Sequence, residues 1–173
     1  MNVKIVRSSR RKKTVSAKVL PDGTLEVQAP ARIPKADLDR IISGFEQRLT
    51  RRAQRQDAGG DEALNRRAQE LNAQFFDGKL RWRSIRYVAN QQQRFGSCTP
   101  LDGTLRISER VAGLPAWIRD YVIVHELAHL IESNHSPAFW QLVNRYPKAE
   151  RARGYLMALG LEGDAEDNDN PAH

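Results

Sequence analysis

His125-Glu126-Leu127-Ala128-His129 sets two imidazoles four residues apart, with a carboxylate beside the first. On a helix, positions i and i+4 share a face, so both rings can reach one Zn²⁺ at about 2.0–2.1 Å. Glu126 projects toward the same side, at a reach suited to a metal-bound water. His135 follows six residues after His129. The chain has four histidines; three fall between 125 and 135, and the fourth is the terminal His173. A catalytic zinc site takes three protein ligands and keeps one position open for water. His125, His129 and His135 supply that count. Zinc in such a site lowers the pKa of its water toward ~7 and polarises a carbonyl. Glu126 would accept the water proton and deliver it to a leaving amine. The expected cofactor is therefore one Zn²⁺, and the expected partner a peptide or protein.

The bland reading makes His125 and His129 half-buried helix residues and His135 a loop residue. Their clustering, on an unbroken helical pattern from Pro115 to Ser133, weighs against it. Glu132 is a rival third ligand, being i+3 from His129. On a continuous helix it would lie about 10 Å of rise from His125, too far for one ion. His135 is preferred, and Ser133-Asn134 offers the turn that brings it back, since Asn tolerates a left-handed helix end. Arg94 and Tyr146 are candidate oxyanion donors, each also readable as a surface or packing residue. Asp120 can accept a hydrogen bond from a ligand imidazole or pair with a nearby Arg.

These residues need elements to hold them. Val15, Ala17 and Val19, then Leu25 and Val27, alternate around Pro21-Asp22-Gly23, which predicts a hairpin. Leu38, Ile41, Ile42 and Phe45 follow helical spacing after Pro34. Gln54 to Asp61, with Gly59-Gly60, reads as a break. Asp61 is the expected cap of the next helix, whose stripe is Leu64, Ala68, Leu71 and Phe75. Leu80 to Val88 reads as a strand with a bulge between Trp82 and Ile85. A second hairpin is expected across Pro100-Leu101-Asp102-Gly103. Helices then follow from Pro115 to about Glu132, from Pro137, and over about Lys148 to Leu159 with Gly160 closing the last. Strands and helices lack a βαβ rhythm, so the expected class is α+β. The expected plan is an N-terminal hairpin and helix lobe over 1–58, a core over 61–160 with a small antiparallel sheet, and a disordered acidic tail over 162–173, the whole forming one compact unit.

Composition limits the alternatives. Among 173 residues, 28 Lys and Arg oppose 21 Asp and Glu, for a net charge of +7. Residues 162–173 hold five acids and no Lys or Arg, so the rest of the chain carries +12. Residues 1–55 alone carry +9. Such a surface can attract nucleic acid, or can simply be solvated. The single cysteine, Cys98, excludes an internal disulfide framework and a multi-cysteine zinc ribbon. The longest apolar runs, such as Tyr121–Val124, are too short to span a bilayer. The basic N-terminus has no apolar stretch after it, unlike a secretory signal. The expected location is cytoplasmic.

Several motifs together resemble one family. Val122 to Leu130, followed by Asn134-His135-Ser136-Pro137 and Phe139-Trp140, is similar to the YgjP-like metallopeptidases, relatives of the SprT-like and WLM zinc proteases. Arg94-Phe95-Gly96-Ser97-Cys98 resembles that family's R-W-G-S-C element, with Phe95 where Trp is usual. Arg10-Arg11-Lys12-Lys13-Thr14-Val15 and the Pro21-Asp22-Gly23 turn also match, so the resemblance spans about residues 5–160. It implies a zincin-like metallohydrolase with His125, His129 and His135 as ligands and Glu126 as acid/base. It carries no substrate. The histidine spacing equals that of HExxHxxGxxH, but Glu132 stands at the Gly position, which argues against metzincin membership. The resemblance also sets Ser97 and Cys98 on the strand before the active helix. Cys98 is then a nucleophile, a fourth ligand, or a small packing residue, with packing preferred. The main alternative to a general peptidase is a DNA-associated SprT-like protease or a zinc-retaining nucleic-acid-binding protein.

Overall fold

The computed structural model describes residues 2–91 and 94–159. The acidic tail, His173 and the expected closure at Gly160 lie outside the described residues. The chain divides into two compact units between Arg52 and Ala53. Helix α1 (Lys35–Asp57) runs through that division.

In the first unit, β2 (Ser16–Val19) and β3 (Leu25–Pro30) form the expected antiparallel hairpin. Its turn is built by Gly23 at φ +81° and by Asp22, whose Oδ1 accepts from Thr24 N at 2.9 Å. The sequence pattern gave no strand before Val15, yet β1 (Val3–Ser8) pairs parallel with β3. Five of its six residues are exposed, so it has no buried alternation to reveal it. The strand order is β1-β3-β2. Leu25, Val27 and Ala29 of β3 pack with Leu38 of α1 as a four-residue buried core. Ile42 and Phe45 flank it as expected, joined by Leu49, whereas Ile41 is half-buried and outside this cluster.

In the second unit, the break before α2 (Gly60–Phe76) is shorter than the polar stretch implied, because residues 54–57 stay helical. Asp61 does not cap α2. Gly59 and Gly60, at φ +80° and +65°, permit an abrupt left-handed break, and Gly59 takes the cap position. Asp61 accepts from Tyr87 N and from Arg55 instead, each at 2.9 Å. The α2 stripe is Leu64, Ala68, Leu71 and Phe76, with Phe75 half-buried beside it.

The expected strand over 80–88 begins only at Ser84, as β4 (Ser84–Val88). Residues 80–83 are irregular because Asn72 holds Leu80 by both backbone groups, at 3.1 and 3.2 Å. The change of phase near Trp82 therefore marks the strand's start and not a bulge. The hairpin of β5 (Gly96–Thr99) and β6 (Thr104–Ser108) forms as expected. The sheet is mixed, not antiparallel, since β4 pairs parallel with β6 in the order β4-β6-β5. A short α3 (Glu109–Ala112), capped by Ser108, leads to α4 (Ala116–Ala128). Then come α5 (Pro137–Val143) and α6 (Ala149–Ala158). Among the described residues no helix is long and apolar enough to cross a membrane. The molecule is α+β.

Candidate metal centre

Helix α4 starts after Pro115, which cannot donate a backbone N–H and is tolerated at a helix start. Every residue from Asp120 to Ala128 is buried. A helix apolar around most of its circumference belongs inside a core, and His125 and Glu126 are carried in with it, at 4% and 2% exposure.

The helix ends earlier than the sequence pattern implied. After Ala128 the chain tightens, with Leu130 N donating to Leu127 O and Ile131 N to Ala128 O. His129 caps the end, and its backbone N–H still reaches His125 O at 3.4 Å. Its ring Nδ1 lies 3.1 Å from Glu132 O. As an Nδ1–H donor it leaves the Nε2 lone pair outward. The left-handed turn expected at Asn134 is absent, because Asp77 is the one non-glycine with positive φ among the described residues.

His135 is set by the start of α5. Ser136 caps that helix, its Oγ accepting from Phe139 N at 3.3 Å, and Pro137 takes the first position. This brings His135 Nε2 to 3.2 Å from His125 Nε2. Ligating nitrogens of His125, His129 and His135 all fall within 4.8 Å of one another. Glu132 contributes a backbone carbonyl to His129 and no ligand to this cluster.

Phe139 touches all three rings. It stacks on His129 at 4.4 Å between centroids and meets His125 and His135 edge-on at 4.9 and 4.7 Å. Trp140 stacks on His135 at 5.7 Å, and the Arg153 guanidinium lies 4.8 Å over the Trp140 ring. Burial holds the His125 pKa well below 6.5, and the neighbouring His129, His135 and Arg153 add to the shift. Burial also lowers His129, partly offset by the carbonyl of Glu132. Neutral imidazoles with free lone pairs are what a metal requires, so the donor set fits a metal ion.

Sequence reasoning missed Gly96. A Cβ built on it would sit 2.6 Å from Glu126 Cδ and 2.7 Å from Cγ. The first residue of β5 must lack a side chain for the Glu126 carboxylate to occupy its place. The signal was present in the Gly96-Ser97-Cys98 string, but only the fold says what the glycine faces.

The remaining sequence candidates are accounted for by other contacts. Asp120 takes the salt-bridge reading, since Arg67 Nε and Nη2 each donate to its carboxylate at 2.8 Å. The Tyr146 hydroxyl donates to Trp117 O at 3.0 Å, and its ring packs edge-on against Phe75. Ser97 Oγ accepts from Gln91 Nε2 at 2.6 Å. Arg94 is exposed just before β5. Cys98 is half-buried, with its thiol pushed up to about 12 by burial, then by the charges of Glu126 and Asp102. A thiol held protonated is a poor nucleophile, and Cys98 is not among the residues whose ligand atoms converge within 4.8 Å.

The sequence profile described as "YgjP-like, metallopeptidase domain" matches residues 61–158, more than half of the chain. The chain belongs to the YgjP-like family. The YgjP-like match runs from the first turn of α2 to the end of α6 and so contains the whole imidazole cluster. Among solved structures, the metallopeptidase zymogen abylysin of Pyrococcus abyssi is similar at 23% identity, over 56% of this chain and 95% of that one, with a TM-score of 0.48. No curated protein matches the sequence.

Proposed function

We propose that this YgjP-like metallopeptidase holds one zinc ion on His125, His129 and His135 and hydrolyses peptide bonds with Glu126 as general base and acid. The observation that carries the reading is the convergence of three ring nitrogens within 4.8 Å, beside a buried carboxylate. Three nitrogen donors suit zinc. Bound there, zinc would supply a Lewis acid and a water of lowered pKa.

The chain's own residues supply the rest. Phe139 and Trp140 fix the ring planes and keep water from the backs of the imidazoles. The Glu132 carbonyl selects the His129 tautomer with Nε2 unprotonated. The Glu126 carboxylate takes a proton from water during attack on the peptide carbonyl and returns it to the leaving nitrogen. Gly96 leaves the space in which that carboxylate sits.

Metal analysis of the purified chain, with a peptide-library digest of wild type and Glu126→Gln, tests the reading. One zinc per chain is expected in both. Hydrolysis should fall by about 10²–10⁴ in the variant. Undiminished cleavage by zinc-loaded Glu126→Gln would sink the role of Glu126. Full wild-type cleavage without metal would sink the zinc site.

A further inference from the structure

The strongest concentration of unneutralised charge in the first unit lies at one end of its sheet. Strand β1 leaves the sheet at Ser8, where it is paired with Pro30 at the end of β3. The connection to β2 passes through Arg10-Arg11-Lys12-Lys13 and re-enters at Ser16, opposite Gln28. The chain beyond β3 is held at the same end. Ala31 N donates to Ser8 O at 3.2 Å, and the Arg7 guanidinium donates to Ala31 O at 2.9 Å. Arg32 therefore joins the run. Arg10, Lys12, Lys13 and Arg32 are all exposed.

No acid answers these cations. Residues 1–21 contain no Asp or Glu. Asp22 belongs to the turn at the opposite end of the strands. Glu26 is engaged by Lys4 and Lys18 along the strands, at 3.8 and 3.3 Å, and Asp37 pairs with Arg40. Among the described residues, no carboxylate is within 4.0 Å of Arg7, Arg10, Arg11, Lys12, Lys13 or Arg32.

We propose that this end of the N-terminal sheet binds the phosphate backbone of duplex nucleic acid without regard to sequence. A four-residue run reaches up to about 14 Å, and a duplex presents a charge about every 1.7 Å of its axis. The run can thus meet several phosphates together. Stacking on bases is not available: Phe45 is the one aromatic residue in 1–52, and it packs against the core beneath Arg48. That favours a duplex over a single strand, whose binders use aromatic platforms. Arg7 and Arg11 are tied into the fold, to Ala31 O and Gln28 Oε1, and the other four side chains are free to reach outward.

The test uses the full chain and a fluorescent DNA duplex of arbitrary sequence, titrated from about 50 to 200 mM salt, where phosphate contacts weaken steeply. Each phosphate contact adds about −0.9 to the log–log slope. The variant with Arg10, Lys12, Lys13 and Arg32 all changed to Gln should bind at least tenfold more weakly at low salt and show a shallower slope. A charge-matched control changes Arg66, Arg81, Arg83 and Arg86 of the second unit to Gln and should lose little. Unfolding midpoints of both variants, unchanged from wild type, report that they fold. No duplex binding at low salt overturns the proposal. So does equal loss in the control, or a preference for single strands, or binding to phosphatidylserine vesicles in place of the duplex.

Discussion

The chain contains two three-stranded sheets of the same design. In each, the first strand runs parallel to the third and the second antiparallel to it, with the third in the centre. In each, Asp-Gly-Thr-Leu turns the hairpin into the central strand, at 22–25 and at 102–105. An Asp carboxylate accepts from the Thr backbone at 2.9 Å in both. What surrounds the sheets differs. The first encloses four buried apolar residues; the second belongs to a core of 24, packed with α2 and α4. The first leaves Val3, Ile5 and Val6 more than a third exposed and turns its cations to solvent. The second encloses His125, Glu126 and Asp120. One scaffold thus serves two electrostatic regimes. A buried carboxylate and imidazoles interact strongly because water is excluded. Exposed cations contribute mainly long-range, salt-sensitive attraction.

The contrast is sharpest at the start of the second strand, which is Ser16 in one sheet and Gly96 in the other. Gly96→Ala puts a methyl group where Glu126 now lies. The carboxylate must move, and displacement of a reacting group by about 1 Å costs on the order of 10²-fold in rate. Turnover should fall by about that factor while metal content and KM hold. Adding Gly96→Ala to Glu126→Gln should then cost little more. A Gly96→Ala enzyme with wild-type turnover would break the comparison at its most specific point. Ser16→Ala in the other sheet should leave turnover untouched.

The candidate site was readable because its groups are local and of rare type. Three of four histidines fall in eleven residues, and the helical period alone puts two on one face. The supports were less readable because they come from elsewhere in the chain. Nothing near Gly96 announces that Glu126, thirty residues on, fills its missing side chain. Phe139 was legible only as part of the Phe139-Trp140 motif, and its contact with all three imidazoles depends on how α5 folds back. The end of α4 was misplaced because a side-chain bond competes with the helix. His129 Nδ1 reaches Glu132 O only once the chain has left the helical path. Strand β1 was invisible because hydropathy patterns record burial, and β1 has almost none.

The buried regime also makes an acid-sensitive prediction for the metal-free protein. His125 is held neutral in the fold, well below its ordinary 6.5, chiefly by burial. The unfolded chain accepts that proton near 6.5. Below this pH the unfolded state binds more protons, so stability falls as pH falls, by up to about 1.4 kcal/mol per pH unit for one imidazole. The loss continues down to the folded-state pKa. His129 shifts the same way. Above pH 6.5 these groups contribute no dependence. Urea midpoints of metal-free protein at pH 8 and pH 5.5 check this, with His125→Gln expected to flatten the change. A midpoint that rises on acidification would contradict the burial argument.

The smallest expected effect concerns Asp120, the remaining buried charge of the second unit. It sits five residues before His125 on α4, and its carboxylate is held by two guanidinium nitrogens of Arg67 on α2. Arg67 also meets Glu70, and its side chain is 44% exposed, so solvent screens part of the attraction. The same pair on the first sheet, Lys4 or Lys18 with Glu26, would be worth little, because both lysines stand about 60% exposed. At Asp120 the partner matters more, since the side chain is only 12% exposed and would be left without its donors. Arg67→Ala should therefore cost about 1–3 kcal/mol in denaturant unfolding. Arg67→Ala/Asp120→Asn should recover part of that, because the amide is cheaper to bury unpaired than the charge. Zinc content should not change in either variant, as Asp120 serves the α2–α4 joint and not a ligand ring. If Arg67→Ala lost zinc with its stability intact, Asp120 would belong to the metal centre, and that centre would reach a full turn further along α4.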